Sequence, residues 1–208
     1  GAVDLVVAQQ VGGGDRGVGG VAGQAGGVVG LGHPGRHPGH HRGAAHAFLT
    51  QVPERFRVGL VPFASRAEVG VPPTEDRALV STALYTLVPG EGTAIGDAVS
   101  LSLRIGRRQE LDAGAPAPRT VLLISYGKQD GGTVTPPAAA AEAREQGVPI
   151  HTVLVGTRNG VLEETLPGGF RRLIQVPAEP QTLERMATET GGTFFTAFDE
   201  EGLRAVYE

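Results

Sequence analysis

Val121-Leu122-Leu123-Ile124 is an unbroken apolar run ending at Ser125, so neither face of a strand built there can look onto water. Strands buried on both sides belong to sheets covered by helices on both faces, and such sheets are mainly parallel. Phe56 to Phe63 and Ile150 to Val155 read as further strands of the same sheet. The segments between them read as helices. Pro72-Pro73-Thr74-Glu75-Asp76 opens one, with Thr74 as its N-cap and two acids in its first turn, running to about Leu87. A second runs from Ala94 to about Arg107, and a third, alanine-rich, starts at Pro136-Pro137 and stops at Gly147. Strands alternating with helices give an α/β fold, Rossmann-like and doubly wound, with a mostly parallel sheet and helices on both faces.

The remaining elements follow from turn chemistry. Residues 44–52 read as a short helix, 161–166 and 170–176 as a hairpin, 181–190 as a helix, 192–196 as a strand and 199–207 as a closing helix. Residues 67–71 read as a short strand. The link from Phe63 to Ala67 is too short for a parallel crossover, so this strand is expected antiparallel, at the sheet edge. Strands 56–63, 121–125 and 150–155 are expected to be adjacent and central.

Residues 1–43 differ from the rest. They hold 15 of the 33 glycines, and the chain has no aromatic before Phe48, no hydroxyl side chain before Thr50 and no acid between Asp15 and Glu54. Such a segment buries little surface against a large backbone entropy cost. It is expected to be irregular over 9–43, with a possible first strand at 3–8, and 44–208 is expected to be the ordinary domain. The same loss of residue types is what an out-of-frame reading of GC-rich DNA would give.

Global properties exclude several classes. A net charge of −4 argues against general polyanion or nucleic-acid binding. With no cysteine, thiolate zinc sites, Cys nucleophiles and disulfides are all excluded. No apolar run approaches the ~18 residues of a membrane span, and the first residues lack the basic-then-apolar pattern of a secretory leader.

In a doubly wound sheet, ligands meet the loops at the carboxyl ends of the strands. Those loops are Gly90 to Asp97, Ser125 to Gly132, and whatever follows Ala8. Several segments here carry a resemblance to a known family: Arg57-Val58-Gly59-Leu60-Val61, Pro72-Pro73-Thr74, Gly92-Thr93-Ala94-Ile95-Gly96-Asp97-Ala98, Val121 to Ser125, Gly147-Val148-Pro149-Ile150-His151-Thr152-Val153, and Thr190-Gly191-Gly192. Together they resemble a bacterial von Willebrand factor type A domain of the membrane-anchored, aerotolerance-type subgroup, over residues 44–208. The resemblance implies a non-enzymatic module that binds a protein partner, in a parent protein associated with a membrane. It also implies Mg²⁺ at a metal-ion-dependent adhesion site.

That site uses Asp-x-Ser-x-Ser after the first strand, a Thr in the middle loop and an Asp after the central strand. Magnesium requires a near-octahedral set of hard oxygen ligands, which such residues and water supply. This sequence departs from the pattern. Asp-x-Ser-x-Ser has no place before Thr50, Ala8 stands where the first Asp belongs, and Tyr126 stands where the last does. Thr93 alone survives as a remnant metal ligand, and no cofactor is firmly expected. The partner-facing residues are expected to be Thr93, Ser125, Tyr126, Lys128 and Asp130.

Other features weigh less. Gly12-Gly13-Gly14-Asp15-Arg16-Gly17 fits a dinucleotide-binding glycine pattern, but no helix-forming sequence or suitably spaced acid follows it. His33, His37, His40, His41 and His46 include pairs spaced by four, but the intervening Pro34, Pro38, Gly35 and Gly39 prevent a regular helix. His151 reads as a packed strand residue, Ser65 has no neighbouring base, and Glu163 and Glu164 point to opposite faces of a strand. The alternative function is a nucleotide- or cofactor-binding enzyme of Rossmann-like class, or a damaged product of the family without metal binding.

Overall fold

Strand β1 (Val3–Gln10) occupies the middle of the sheet. It pairs in parallel with β2 (Phe56–Phe63) on one side and with β4 (Arg119–Ser125) on the other. The computed structural model describes residues 3–10, 49–50, 52–88, 90–114, 117–155, 161–165, 171–175 and 179–196. Beyond β4 lie β5 (Ile150–Leu154) and β8 (Phe194–Thr196), both parallel. The opposite edge is β3 (Val71–Thr74), antiparallel to β2, so the order is β3-β2-β1-β4-β5-β8. A separate antiparallel pair is formed by β6 (Val161–Thr165) and β7 (Arg171–Gln175).

Helices cover both faces. On one lie α2 (Ile95–Ala113), α3 (Pro136–Glu145) and α4 (Pro180–Thr190). Their residues Ile95, Val99, Leu103, Ala139, Ala143, Leu183 and Met186 pack with Val6, Ala8, Val121 and Leu123. On the other lies α1 (Arg77–Thr86), whose Val80 and Leu84 pack with Val7, Leu60, Leu122 and Leu49. Strand β1 therefore sends Val6 and Val7 into two different cores, as a period-2 strand buried on both faces must.

Four expectations need correcting. Strands 56–63 and 121–125 are not adjacent, because β1 lies between them. The edge strand is 71–74 rather than 67–71. Ala67 makes only an isolated bridge to Phe63, whereas Val71 pairs with Leu60 and is buried. Pro72 and Pro73 fit within a strand here because it is an edge strand and its register shifts between the pairs Val58–Thr74 and Leu60–Val71, where the two prolines fall. The N-cap of α1 is Asp76, not Thr74: Asp76 Oδ1 accepts from the Leu79 N–H at 2.9 Å, and Thr74 Oγ1 accepts from Asp76 N–H at 3.1 Å. Finally, α2 runs on past Arg107 to Ala113, where Gly114 at φ 67° caps it with bonds to Glu110 and Leu111 carbonyls. That left-handed turn is one only glycine adopts without strain.

Strand 192–196 begins at Phe194. The expected helix at 199–207, most of the one at 44–52, the glycine motif at 12–17 and the histidines at 33–46 lie outside the described residues.

Candidate functional site

The sheet changes direction at β1: the chain moves to β2 on one side and to β4 on the other. Ligand crevices of doubly wound sheets open at such a switch point, beyond the strand carboxyl ends. Here those ends are Gln10 of β1, Phe63 of β2 and Ser125 of β4, with Gln9 paired to Ile124 and Gln10 to Phe63.

Three loops meet above them. Ala64, just past β2, accepts the Ala94 N–H at 2.7 Å, which draws the loop leading into α2 over the end of β2. Thr93 is buried there, and its carbonyl accepts the Asp130 N–H at 3.3 Å. The loop after β4 begins at Ser125, which is fully buried, and its Oγ accepts the Gly127 N–H at 3.1 Å. Tyr126 is half-buried, and burial holds its phenol above the ordinary value of 10.0. It is therefore a neutral hydroxyl near pH 7 and a poor ligand for a hard dication. Lys128 and Asp130 are exposed on the same loop.

This loop is held at two points that the sequence did not disclose. Asp97, in the first turn of α2, accepts from Val134 N–H at 2.7 Å and from Thr133 N–H at 2.9 Å, and its Oδ1 also accepts from the Thr133 hydroxyl at 3.2 Å. Gln129 reaches across with its amide: Oε1 accepts from Gly96 N–H at 3.1 Å, and Nε2 donates to the Val134 carbonyl at 3.0 Å. Gly96 allows this, since a Cβ there would land on the Val134 carbonyl. Asp97 and Gln129 were visible as loop polars, but their partners lie up to 37 residues away, beyond the reach of local pattern. The loop's second neighbour is the segment entering α4, where Glu179 N–H donates to the Tyr126 carbonyl at 2.7 Å.

The Asp97 carboxylate is committed to the loop, Tyr126 is neutral, and among the described residues no group of three His, Asp or Glu side chains converges. Ser65 lies next to Gly92 and Gly131 in the same loop cluster and is exposed. His151 is elsewhere, buried in β5, with Nδ1 accepting from Thr193 N–H at 3.2 Å and its ring stacked on Phe195 at 6.4 Å. Glu163 and Glu164 fall on β6, which is not a strand of the six-stranded sheet.

Comparison with known proteins gives the following. The family model for the von Willebrand factor type A domain matches residues 43–208. A UPF0353 protein of Nocardia farcinica is 33% identical, over 79% of this chain and 53% of that protein. The chain spans about half the length of the curated relatives it matches. Among solved structures, an aerotolerance-related membrane protein from Bacteroides fragilis superposes with a TM-score of 0.74 at 20% identity, covering 99% of this chain and 96% of that one. Proximal thread matrix protein 1 from the mussel byssus, with a zinc-occupied MIDAS motif, superposes with a TM-score of 0.62 at 17% identity, covering 99% and 46%. At these identities the two structures are similar to this chain in fold.

Proposed function

The chain belongs to the von Willebrand factor type A domain family, and from that membership we propose that it is a non-enzymatic protein-interaction module working without a bound dication. Domains of this family generally mediate protein–protein contacts, which makes the cofactor-binding enzyme the less favoured reading. The observation that carries the proposal is the braced loop after β4. Asp97 and Gln129 hold it from α2, so Lys128 and Asp130 project from a fixed backbone beside Thr93, Ser125 and Tyr126. A pre-set surface binds without the entropy cost of ordering a loop.

The family's metal chemistry is a Lewis-acidic magnesium that completes its shell with a partner's carboxylate. The residues present do not support it. Before Thr50 there is no hydroxyl to serve as the two Ser ligands, and Tyr126 replaces the carboxylate after β4. Recognition is then assigned to the loops' own groups, with Lys128 and Asp130 as a mixed-charge pair. The whole parent protein is proposed to be membrane-associated, a reading supported by the likeness to the Bacteroides membrane protein. No described helix is long and apolar enough to cross a membrane.

The test is a photo-cross-linking residue placed at Lys128 in the intact parent protein in cells. A discrete protein adduct is expected, lost on Asp130→Lys and absent when the cross-linker sits at Arg144. Identical adducts from both positions contradict the assigned surface. Stabilisation of the isolated chain by ATP or NAD in a thermal shift contradicts the non-enzymatic reading, because a ligand of the native state raises the midpoint.

A further inference from the structure

The extension of α2 beyond Arg107 creates a surface that the sequence pattern did not show. Arg104, Arg107, Arg108 and Leu111 all lie on α2, and all four are exposed. At about 100° per residue, they fall within an arc of roughly 100°, with Leu111 between the arginines. Leu111 is 70% exposed, among the most exposed large apolar residues described.

The helix itself does not call for these cations. Arginine favours the last turn of a helix, where it meets the negative end of the dipole, but the last turn of α2 has no basic residue. Arg104 stands three and four residues from Arg107 and Arg108, a like-charge spacing that destabilises an isolated helix. Of these three arginines, Arg108 has an ion pair among the described residues, with Asp112 at 3.4 Å, and both partners are well exposed. Such a pair is worth little.

The geometry points to this face as a docking surface for an anionic lipid bilayer. Arginine forks match phosphate oxygens, and an exposed leucine among them enters the boundary between headgroups and acyl chains. A soluble polyanion such as an acidic peptide or a nucleic acid satisfies the arginines but gives Leu111 no apolar phase.

The placement is consistent with that role. The helix starts beside Thr93 at the loop cluster and ends where Glu110 pairs with Arg119, the first residue of β4, at 3.4 Å. The patch lies in the second half of this nineteen-residue helix, beginning about 14 Å along the axis from the loop cluster, so the two surfaces are distinct. The inference does not depend on what the loop cluster binds.

Co-sedimentation of the 208-residue chain with phosphatidylglycerol–phosphatidylcholine vesicles tests it. Binding at low ionic strength is expected, falling steeply with added salt and absent with pure phosphatidylcholine. Arg104→Gln with Arg107→Gln is expected to lower partitioning roughly 25-fold, about fivefold per arginine. Leu111→Asn is expected to weaken binding while leaving the salt dependence unchanged. The three positions are exposed, so unchanged melting separates lost binding from lost fold. Equal binding to neutral vesicles, no vesicle binding, or capture of a polyglutamate peptide or duplex DNA with Leu111→Asn indifferent each overturns the assignment.

Discussion

Tyr126 is half-buried and His151 buried, and their surroundings give these two titratable groups different consequences. Burial holds the Tyr126 phenol protonated, a neutral oxygen at the position where we propose that the family's carboxylate is lost. Restoring that carboxylate with Tyr126→Asp is expected to leave Mg²⁺ binding absent in calorimetry, since a single carboxylate beside Thr93 is too small a ligand set. His151 is buried, and desolvation depresses its pKa below 6.5. The unfolded chain therefore binds the proton first as pH falls. Stability is full above about 6.5, declines as pH drops from there through the lower folded value, and levels off below it. Protonation also turns Nδ1 from the acceptor of the Thr193 N–H into a donor facing a donor. The slope of melting temperature against pH in this window is expected to flatten in His151→Leu. His151 was readable as a packed strand residue because apolar residues surround it in sequence. The Asp97 brace was not readable, because an acid in the first turn of a helix is equally at home as a dipole partner.

At the level of elements, legibility followed how local the cause was. Strand β4 was plain because its own side chains exclude water from both faces. Helix α3 was plain because prolines open it and Gly147 ends it, and the structure adds Thr135 as its cap. Strand β3 was displaced because its position depends on the pairing of Val71 with Leu60, a contact between segments. The reach of α2 was underestimated although Arg108, Gln109, Glu110, Leu111 and Ala113 are all good helix formers, and the end is set by the glycine cap at Gly114. The junction of α2 with the loop after β4 makes two predictions. Asp97→Ala removes the acceptor for two backbone donors and a hydroxyl. It is expected to cost about 1–3 kcal/mol and to speed amide exchange at Thr133 and Val134 ahead of the core strands. Gly96→Ala drives a methyl into the Val134 carbonyl, so denaturant melts are expected to show a loss of about 1–3 kcal/mol. A neutral or stabilising result contradicts the close approach, since alanine is otherwise the better helix former.

The whole molecule depends on a strand that the family match leaves out. The match begins at residue 43, yet β1 at 3–10 pairs with both β2 and β4 and puts Val6 and Val7 into opposite cores. Composition made the first 43 residues look unlike the rest, and Val3 to Ala8 was the one part with strand character. A chain cut to 43–208 is expected to lose cooperative unfolding and to bind a hydrophobic dye, because its sheet is divided at the centre. Fold class was legible from alternation of strands and helices. The site was legible only as a set of loops, because the brace and the switch point arise from topology. The central claim is that this family member presents its loop surface without a dication, and calorimetric titration of Mg²⁺ into the intact chain tests it most directly. No saturable heat is predicted in the millimolar range, with or without Thr93→Ala. Saturable binding that Thr93→Ala abolishes would show that these loops assemble an unconventional ligand set, and would contradict the account.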